Sequence, residues 1–412
     1  MLKCGLLGEK LSHSYSPEIH KKLGEYEYKL YEKTPEELEE FILKKDYDGL
    51  NVTIPYKQVV MPYLDELSKE AKRIGSVNTI VKRADGTLFG DNTDIYGFKY
   101  MLKRAGIDVC GKKALILGSG GTKKTVHTAL LDLGASEVKV ISRSGEDNYN
   151  NLEKHSDAKI IINATPVGMF PNNGKAALSL DVFFKLEGVA DVIYNPMKTE
   201  LLLNAKKRGL KTAGGLSMLV AQAKRSAELF MGKNIADEKT ERIVCELSRK
   251  MRNILLIGMP GSGKSTIGKE LSKITGKRFI DIDELIVKNE KKGIPEIFNN
   301  GGEEAFRAAE TAALKEACKL SGAVIATGGG CVKKEENADI LRQNGSVFYI
   351  KRDFRLLPTD GRPLSKNADL SVMFCERNPL YEGFCDFEVN NDKTVKAAAE
   401  EIKEIFYENT CD

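Results

Sequence analysis

The amino-acid sequence predicts an α/β protein. Apolar segments of strand length alternate with helical stretches along the chain, which favours layered α/β sheets over helix bundles or β-sandwiches. Two of the apolar segments, 112–118 and 253–257, run directly into glycine-rich turns that open helices. The chain has 412 residues, too many for one ordinary core and suitable for two or three domains.

The composition excludes several classes of protein. Apolar residues make up 42% and charged residues 30%, which are globular values and argue against disorder. The 63 basic and 59 acidic side chains form no block of like charge, so we expect no nucleic-acid partner. No apolar run reaches the roughly 18 residues of a membrane helix and no secretory leader is evident, so we expect a cytoplasmic protein.

Eight cysteines are scattered without a C-x-x-C pair, which predicts reduced thiols and no zinc site. The four histidines lie within the first 155 residues, and we expect His13 and His20 to cap or pack rather than react. A charged amphipathic helix is predicted at 236–250, so the domain boundary is placed near residue 251. Further predicted elements are strands at 112–118, 137–142, 158–163 and 189–194 and a helix at 122–133.

The clearest motif is GMPGSGKS at 258–265, which matches the phosphate-loop pattern. It follows a strand and opens a helix, so successive backbone N–H groups can bind a polyphosphate at the positive end of the helix dipole. Lys264 is expected to reach the β- and γ-phosphates and Ser265 to ligate Mg²⁺. A glycine-rich helix cap is the alternative, and the complete motif in this context argues against it. The sequence therefore predicts a nucleotide site.

Five further motifs follow the phosphate loop in order. Together they resemble shikimate kinase over residues 252–390, which implies a P-loop α/β domain of the nucleoside-monophosphate-kinase type at 252–412. The motifs are FIDID (279–283), FRAAE (306–310), TGGG (327–330), GRPL (361–364) and ERNPLY (376–381).

This resemblance implies a role for each motif. Asp281 is expected beside the Mg²⁺, and Asp283 is expected to bind the acceptor hydroxyl and favour its deprotonation. Arg307 and Arg377 are expected to hold the substrate carboxylate through their planar guanidinium groups. The other implied residues are Gly329 and Gly330 against the substrate ring, Arg362 on a lid over the phosphate, Arg355 stacked on adenine, and Gly258, Gly261, Gly263 and Thr266 in the phosphate loop.

A second glycine turn occurs at Gly118, Gly120 and Gly121, where the sequence only half fits the dinucleotide pattern. The next strand ends in Ser142, Arg143 and Ser144 rather than in the acidic residue that binds an NAD ribose. A guanidinium with two hydroxyls suits a 2′-phosphate and points to NADP. On spacing alone, an ordinary surface arginine is an equal alternative.

The flanking motifs resemble shikimate dehydrogenase over residues 1–250. The resemblance implies a discontinuous substrate domain (1–100 and 215–250) around a Rossmann-like NADP domain (101–214). The motifs are SHSYSP (12–17), NVTIPYK (51–57), SVNT (76–79), GDNTD (90–94), NATPVGM (163–169), DVIYNP (191–196) and GLSMLVAQ (215–222).

The resemblance also implies which residues act. Lys57 and Asp94 form the reacting pair: the lysine supplies a cation and then a proton to the developing alkoxide, and the aspartate orients it. The alternative is an exposed ion pair worth about 0–1 kcal/mol. The other implied residues are Ser14 and Ser16 at the substrate carboxylate, Asn51, Thr53, Asn78, Gln222 and Tyr194 at the ring, and Thr165, Gly215 and Met218 at the cofactor.

Together the motifs predict a bifunctional enzyme of aromatic amino-acid biosynthesis. Its front half is expected to reduce 3-dehydroshikimate with NADPH, and its back half to phosphorylate shikimate with ATP and Mg²⁺. Two alternatives are a quinate-preferring, NAD-dependent front half and a silent shikimate-sensing regulator. A regulator could lose Lys57, Asp94, Lys264 or Asp283, and all four are present.

Overall fold

The computed structural model describes residues 1–11, 14–357 and 370–411. Its internal contacts divide the chain into two compact units. The first comprises Met1–Val167, Ala176–Tyr194 and Asn204–Val244, and the second comprises Gly168–Lys175, Asn195–Leu203 and Cys245–Asp412. No helix in the described ranges is long and apolar enough to cross a lipid bilayer.

A mixed six-stranded sheet begins the first unit. Its strands are β1 (Lys3–Gly8), β2 (Glu27–Glu32), β3 (Gly49–Val52), β4 (Glu66–Leu67), β5 (Thr79–Lys82) and β6 (Leu88–Asp91), in the order β2-β1-β3-β5-β6-β4. β1 is parallel to β2 and β3, whereas β5 is antiparallel to β3 and β6. The accompanying helices are α1 (Ser16–Leu23), α2 (Pro35–Lys44), α3 (Lys69–Ile74) and α4 (Asp94–Arg104).

Local sequence signals fix the ends of these short helices. The Thr34 backbone N–H donates to Glu37 Oε2 at 2.9 Å, so α2 begins with a capping box followed by proline. At the start of α3, Ser68 Oγ accepts from the backbone N–H of Ala71 at 3.0 Å. That helix ends at Gly75, which adopts a left-handed conformation with φ of 71°.

A parallel five-stranded sheet forms the rest of the first unit. Its strands are β7 (Lys113–Leu117), β8 (Glu137–Ile141), β9 (Ile160–Asn163), β10 (Gly188–Asp191) and β11 (Lys211–Ala213), in the order β11-β10-β9-β7-β8. The four predicted strands fall on β7 to β10, although the last ends at Asp191 rather than at 194. Since β8 and β9 flank β7 on opposite sides, the turn after β7 opens a crevice of the kind that binds ligands. The helices that follow β7 in the sequence are α5 (Thr122–Asp132), α6 (Glu200–Lys207), α7 (Leu216–Met231) and α8 (Asp237–Met251), of which α6 and α8 have residues in both units.

The second unit is built on another parallel sheet. Its strands are β12 (Asn253–Ile257), β13 (Arg278–Asp281), β14 (Ala323–Ala326), β15 (Gly345–Lys351) and β16 (Phe387–Asn390), in the order β13-β14-β12-β15-β16. Every residue of β12 is buried, as expected for a central strand covered on both faces. The helices are α9 (Lys264–Thr275), α10 (Ile282–Glu290), α11 (Ile294–Lys319), α12 (Glu336–Asn344), α13 (Leu370–Phe384) and α14 (Val395–Glu408).

One cysteine pair corrects the prediction of eight reduced thiols. Cys245 on α8 and Cys411 after α14 form a disulfide, with Cα atoms 4.6 Å apart. The prediction was wrong for this pair because the two residues are 166 positions apart, and only the packing of the chain brings them together. Among the described residues, Cys4, Cys110, Cys318, Cys331, Cys375 and Cys385 are free thiols, as predicted.

The passage from α8 to β12 is held by a lysine. Lys277 Nζ donates to the carbonyl oxygens of Arg249, Lys250 and Arg252 at 2.7, 3.1 and 3.0 Å. The same ammonium lies 5.4 Å from the centre of the Phe406 ring. Carbonyls at the end of a helix have no partner within the helix, so one side chain here satisfies three acceptors.

We expect Lys277→Met to lower the free energy of unfolding by roughly 1.5–3 kcal/mol, because it removes charge-assisted hydrogen bonds and leaves the three carbonyl oxygens without this donor. Urea unfolding of the full chain, followed by circular dichroism, measures the change. Lys273→Met is the matched control: this lysine pairs with Glu270 at 3.0 Å and its side chain is 73% exposed, so we expect little change. Equal shifts for both variants would contradict this role of Lys277.

Candidate active sites

The first unit contains a cavity of about 460 Å³. It lies among the loop after β1, the carboxyl end of β3, the start of α4 and one face of α7. The cavity brings together all the residues predicted at the dehydrogenase substrate and two predicted at its cofactor. They are Ser14, Ser16, Asn51, Thr53, Lys57, Asn78, Asp94, Tyr194, Gly215, Met218 and Gln222.

The predicted reacting pair is in direct contact inside this cavity. Lys57 Nζ donates to Asp94 Oδ2 at 2.6 Å, and Asn78 Nδ2 donates to Asp94 Oδ1 at 2.9 Å. The two charged side chains are only 31% and 18% exposed. Asp94 is the first residue of α4, where the positive end of the helix dipole stabilises a carboxylate. The pair is therefore more enclosed than an ordinary surface ion pair.

A buried hydroxyl network supports the cavity wall. Ser226 Oγ lies 2.8 Å from Thr79 Oγ1 and 3.0 Å from Thr93 Oγ1, and it accepts from Asn51 Nδ2 at 2.7 Å. Ser226 is fully buried. Sequence reasoning missed Ser226 and both threonines. The available signal was the position of Ser226 one helical turn beyond Gln222, on the same face of α7.

Aromatic side chains pack behind Asn51. Tyr28 donates its hydroxyl hydrogen to Asn51 Oδ1 at 2.8 Å, and its ring stacks on His20 with centroids 4.0 Å apart. His20 Nδ1 lies 2.6 Å from the Tyr26 hydroxyl oxygen. Burial lowers the pKa of His20 to about 3, so the imidazole is neutral near pH 7. The packing role expected for His20 is confirmed, whereas Ser12 and His13 lie outside the described residues.

The predicted cofactor turn lies beyond β7. Gly118 has φ of 101°, and a Cβ added to it would lie 2.6 Å from Thr165 Cγ2. In contrast, a Cβ on Gly120 or Gly121 would meet nothing within 4 Å, which leaves space for a ligand against the backbone. Thr165 is itself held by Asn163, whose Oδ1 accepts from the Thr165 backbone N–H at 3.0 Å and hydroxyl at 2.7 Å.

The three residues predicted at the 2′-phosphate follow β8. Arg143 is exposed, and no carboxylate forms an ion pair with it among the described residues. Ser142 and Ser144 flank it, and no acidic residue ends the strand. These three residues, the glycine turn and Thr165 do not line the substrate cavity. The open glycine turn and the unpaired guanidinium together fit a phosphorylated dinucleotide.

The second unit contains a cavity of about 690 Å³. It gathers ten of the predicted kinase residues. Of the others, Gly258, Asp281 and Arg355 do not line it, and Arg362 lies outside the described residues. The ten are Gly261, Gly263, Lys264, Ser265, Thr266, Asp283, Arg307, Gly329, Gly330 and Arg377.

The phosphate loop has the backbone that its glycines allow. Gly258, Gly261 and Gly263 have φ of 145°, 88° and 99°, in the region that favours glycine. Lys264 is 7% exposed, and its Nζ donates to the carbonyl oxygens of Gly258 and Met259, both at 2.8 Å. The lysine therefore lies within the loop and must exchange these carbonyls to reach a phosphate.

Two oxygen ligands suited to Mg²⁺ meet beside the loop. Ser265 Oγ donates to Asp281 Oδ2 at 2.7 Å, and Asp281 Oδ1 accepts from the Asp283 backbone N–H at 3.0 Å as the cap of α10. Hydroxyl and carboxylate oxygens suit Mg²⁺, which usually retains waters and nucleotide phosphates as further ligands. No group of three or more His, Cys, Asp or Glu side chains that could hold a metal ion occurs in the part of the chain that is described.

Charged side chains line the other wall of this cavity. Arg307 Nη1 donates to Glu310 Oε2 at 2.6 Å, and Arg377 Nη1 donates to the Gly329 carbonyl at 3.1 Å. Burial raises the pKa of the Glu310 carboxyl, and the Arg307 guanidinium opposes that rise. Sequence reasoning gave Glu310 no role. Its signal was its place three residues after Arg307 on α11, where side chains share a face.

Neighbouring protein atoms also require glycine at two positions beside this wall. A Cβ on Gly330 would lie 2.1 Å from Arg307 Nη2, and one on Gly329 would lie 2.6 Å from Pro260 Cδ. The sequence predicted that these glycines leave room for the substrate ring. In the structure they also leave room for Arg307 and for the phosphate loop.

Known proteins resemble the two parts of the chain separately. A family model for the shikimate dehydrogenase substrate-binding domain matches residues 6–80. The NADP(+)-dependent shikimate dehydrogenase of Clostridium perfringens strain SM101 is 40% identical over 273 residues, which covers 59% of this chain and 96% of that enzyme. The chain belongs to the shikimate dehydrogenase family.

Solved structures agree with this family assignment. Shikimate dehydrogenase 1 from Peptoclostridium difficile is 43% identical, with a TM-score of 0.54 over 60% of this chain and 98% of that one. A chorismate mutase/shikimate 5-dehydrogenase fusion from Clostridium acetobutylicum is 36% identical, with a TM-score of 0.57 over 60% and 97%. The predicted Rossmann-like α/β fold is confirmed.

A second family model, described as shikimate kinase, matches residues 260–406. The chain is therefore a fusion in which a shikimate kinase domain follows a shikimate dehydrogenase. Both resemblances inferred from the motifs are confirmed, as is the prediction of an enzyme with an oxidoreductase and a kinase part. The predicted cofactors, NADP with ATP and Mg²⁺, agree with these two families.

We expect Ser226→Ala to destabilise the dehydrogenase part by about 1–3 kcal/mol, because Asn51, Thr79 and Thr93 would share a buried network that lacks its central hydroxyl. Thermal unfolding and the KM for shikimate measure the loss of stability and the displacement of Asn51. Ser136→Ala, at an exposed serine before β8, is the control and should change neither. A Ser226→Ala variant with unchanged stability and KM would show that the network is dispensable.

Proposed function

We propose that the N-terminal part reduces 3-dehydroshikimate to shikimate with NADPH, and that the C-terminal part phosphorylates the shikimate 3-hydroxyl with ATP and Mg²⁺. The observation that carries the first activity is the Lys57–Asp94 contact of 2.6 Å inside the cavity. The second is carried by the phosphate loop, Asp283 and two arginines around one cavity. The substrates are thus small molecules, and we place both reactions in the cytoplasm.

In the proposed reduction, NADPH supplies a hydride to the ring carbonyl carbon. The Lys57 ammonium hydrogen-bonds to the carbonyl oxygen, stabilises the charge that develops there and donates its proton to give the alcohol. Asp94 holds the ammonium and accepts a hydrogen bond from the neighbouring substrate hydroxyl. Asn78 fixes the other oxygen of Asp94, which keeps the carboxylate from rotating away.

Substrate orientation is assigned to the polar residues of the same cavity. Ser14 and Ser16 offer hydroxyl donors to the carboxylate. Asn51, Thr53, Asn78, Gln222 and Tyr194 surround the ring hydroxyls. Burial raises the pKa of Tyr194, so its hydroxyl remains a hydrogen-bond donor at neutral pH.

The chain's own residues suit the nucleotide side of the reduction as well. The open space above Gly120 and Gly121 accommodates the pyrophosphate at the start of α5. Arg143, with Ser142 and Ser144, binds the 2′-phosphate. Thr165, Gly215 and Met218 are assigned to the nicotinamide side because the last two line the substrate cavity.

In the proposed phosphorylation, Asp283 accepts the proton of the shikimate 3-hydroxyl while the hydroxyl oxygen attacks the γ-phosphorus of ATP. The bond between that phosphorus and the bridging oxygen breaks, and ADP leaves. Lys264 leaves the Gly258 and Met259 carbonyls and binds the β- and γ-phosphates. Ser265 and Asp281 hold Mg²⁺, which neutralises the phosphate charge. Arg307 and Arg377 hold the shikimate carboxylate, and Glu310 keeps the Arg307 guanidinium in place. Arg362 is assigned to the transferring phosphate.

The proposed division of the chain is 1–250 for the dehydrogenase and 252–412 for the kinase. Within the first part, 1–100 and 215–250 form the substrate domain and 101–214 the NADP domain. A silent shikimate-sensing regulator is the alternative function, and the presence of Lys57, Asp94, Lys264 and Asp283 weighs against it. A coupled assay decides: 3-dehydroshikimate, NADPH and MgATP are supplied to the purified chain, and shikimate 3-phosphate is measured by mass spectrometry.

The two activities should be separable by single substitutions. Lys264→Ala should abolish phosphoryl transfer while NADPH oxidation stays within a few-fold of wild type, because Lys264 lines the cavity of the second unit and not that of the first. Lys57→Ala should do the reverse. NADPH oxidation and ADP release are measured separately for each variant. Loss of both reactions in a variant that remains folded would contradict the assignment of two independent sites.

Arg143 should determine the choice of cofactor. Its contact with the 2′-phosphate is charge-assisted and worth about 1.5–3 kcal/mol. Arg143→Ala should therefore raise the KM for NADPH by roughly tenfold or more and leave that for NADH nearly unchanged. Steady-state kinetics with both cofactors give the comparison, and equal effects on the two would assign Arg143 a structural role instead.

A further inference from the structure

Three arginines line the cavity of the second unit: Arg307, Arg352 and Arg377. Two of them are bound by the protein, Arg307 by Glu310 at 2.6 Å and Arg377 by the Gly329 carbonyl at 3.1 Å. Within residues 1–11, 14–357 and 370–411, no side chain or carbonyl forms an ion pair or hydrogen bond with the Arg352 side chain. Arg352 therefore brings an uncompensated, half-buried positive charge to this cavity.

The position of Arg352 places it beside the phosphate loop. It follows β15, which pairs with β12 in a register that sets Tyr349 opposite Ile257. At the next position the backbones of the two strands approach closely: a Cβ added to Gly258 would lie 2.7 Å from the Ile350 carbonyl oxygen. Arg352 is thus two residues beyond the point where β15 meets the first glycine of the loop.

Arg352 lies on the opposite side of the loop from Asp281 and Asp283. In the strand order β13-β14-β12-β15-β16, Asp281 ends β13 and the loop leaves β12. Asp281 and Asp283 are therefore on one side of the loop, and β15 with Arg352 is on the other. Arg352 and Asp283 thus reach the cavity from strands on opposite sides of the phosphate loop.

The neighbouring arginine is occupied elsewhere. Arg355 Nη2 donates to Asp353 Oδ2 at 2.6 Å, and Arg355 Nε donates to Asp353 Oδ1 at 3.0 Å. The Arg355 side chain is 76% exposed and does not line the cavity. The carboxylate nearest in sequence thus neutralises Arg355 and leaves the charge of Arg352 free.

We propose that Arg352 binds the polyphosphate of the nucleotide in this cavity. The proposal rests on the nucleotide-dependent function proposed for this part of the chain. A guanidinium presents parallel N–H donors that match two phosphate oxygens. The negative charge of the phosphate would balance the positive charge of Arg352, with which no described carboxylate forms an ion pair. Lys264 binds the same polyphosphate from within the loop, so the two cations approach it from different strands.

Isothermal titration calorimetry on the full chain tests this assignment. MgATP and inorganic tripolyphosphate are titrated into wild type, Arg352→Gln, Arg352→Lys and the control Arg278→Gln, which alters an exposed arginine at the start of β13. Arg352→Gln should weaken both ligands about ten- to a hundredfold, the range expected for one charge-assisted contact. Arg352→Lys should restore part of the affinity, and the control should bind as wild type.

Other outcomes overturn the proposal. If Arg352→Gln weakens ATP but not tripolyphosphate, the guanidinium contacts the adenosine part. If Arg355→Gln lowers the affinity for these ligands more than Arg352→Gln does, Arg355 rather than Arg352 is the arginine that binds the nucleotide. NADPH oxidation by the same samples and their thermal unfolding establish that each variant is folded.

Failure of this proposal is distinguishable from failure of the proposed function. If wild type binds ATP in an Arg352-dependent way but does not phosphorylate shikimate, the function is wrong and the binding role of Arg352 stands. If shikimate is phosphorylated and Arg352→Gln binds both ligands as wild type does, the function stands and Arg352 has no role in it.

Discussion

The site in the second unit depends on one constraint, the common direction of paired parallel strands. In the second unit, Asp281 pairs in register with Ala326, and Leu256 pairs with the same residue from the other side. The phosphate loop, the capping aspartate of α10 and the TGGG segment therefore leave the sheet at one edge. Lys264, Asp283 and Gly329 come together because their strands end together, although they are far apart in the sequence.

The two cavities organise charge in different ways. In the dehydrogenase part, a lysine and an aspartate form an ion pair inside the cavity, and a neutral network of buried hydroxyls supports the cavity wall. In the kinase part, Arg307 is matched with Glu310 inside the wall, and both side chains are nearly inaccessible to water. Burying such a pair costs solvation, and the cost is recovered only if the geometry is fixed. We interpret the wall with Arg307 and Glu310 as a rigid support, and the phosphate loop as the side of the cavity that binds the nucleotide.

The sequence predicted the residues that belong to contiguous motifs. GMPGSGKS gave Lys264 and Ser265 because a loop that binds phosphate through backbone N–H groups must use glycine at fixed positions. Lys57 and Asp94 were predicted because each ends a recognisable segment. Four strands of the parallel sheet in the first unit, and β12 in the second, were predicted from their apolar segments. These features are local, so a single stretch of sequence contains them.

The residues that were missed act through partners far along the chain. Ser226 meets Asn51 across 175 positions, and Cys245 meets Cys411 across 166. The residues next to Ser226 and Cys245 in the sequence do not indicate which distant residue each one contacts. Arg352 and Arg355 differ by three positions, yet one lines the cavity and the other bonds to Asp353, because the chain turns sharply after β15. The sequence pattern does not show which of these two arginines forms an ion pair with Asp353.

The separation of Asn51 from Ser226 has a consequence during protein synthesis. Segments that precede β7 and segments that follow β10 in the sequence together form the first cavity. Its wall therefore stays incomplete until α7 leaves the ribosome. At translation rates of about 5–20 residues per second, a gap of 175 residues lasts roughly 10–35 s. During that interval Asn51 and Thr79 lack the hydroxyl that later joins them. A nascent chain that pauses before α7 would therefore expose a half-built pocket to chaperones and proteases.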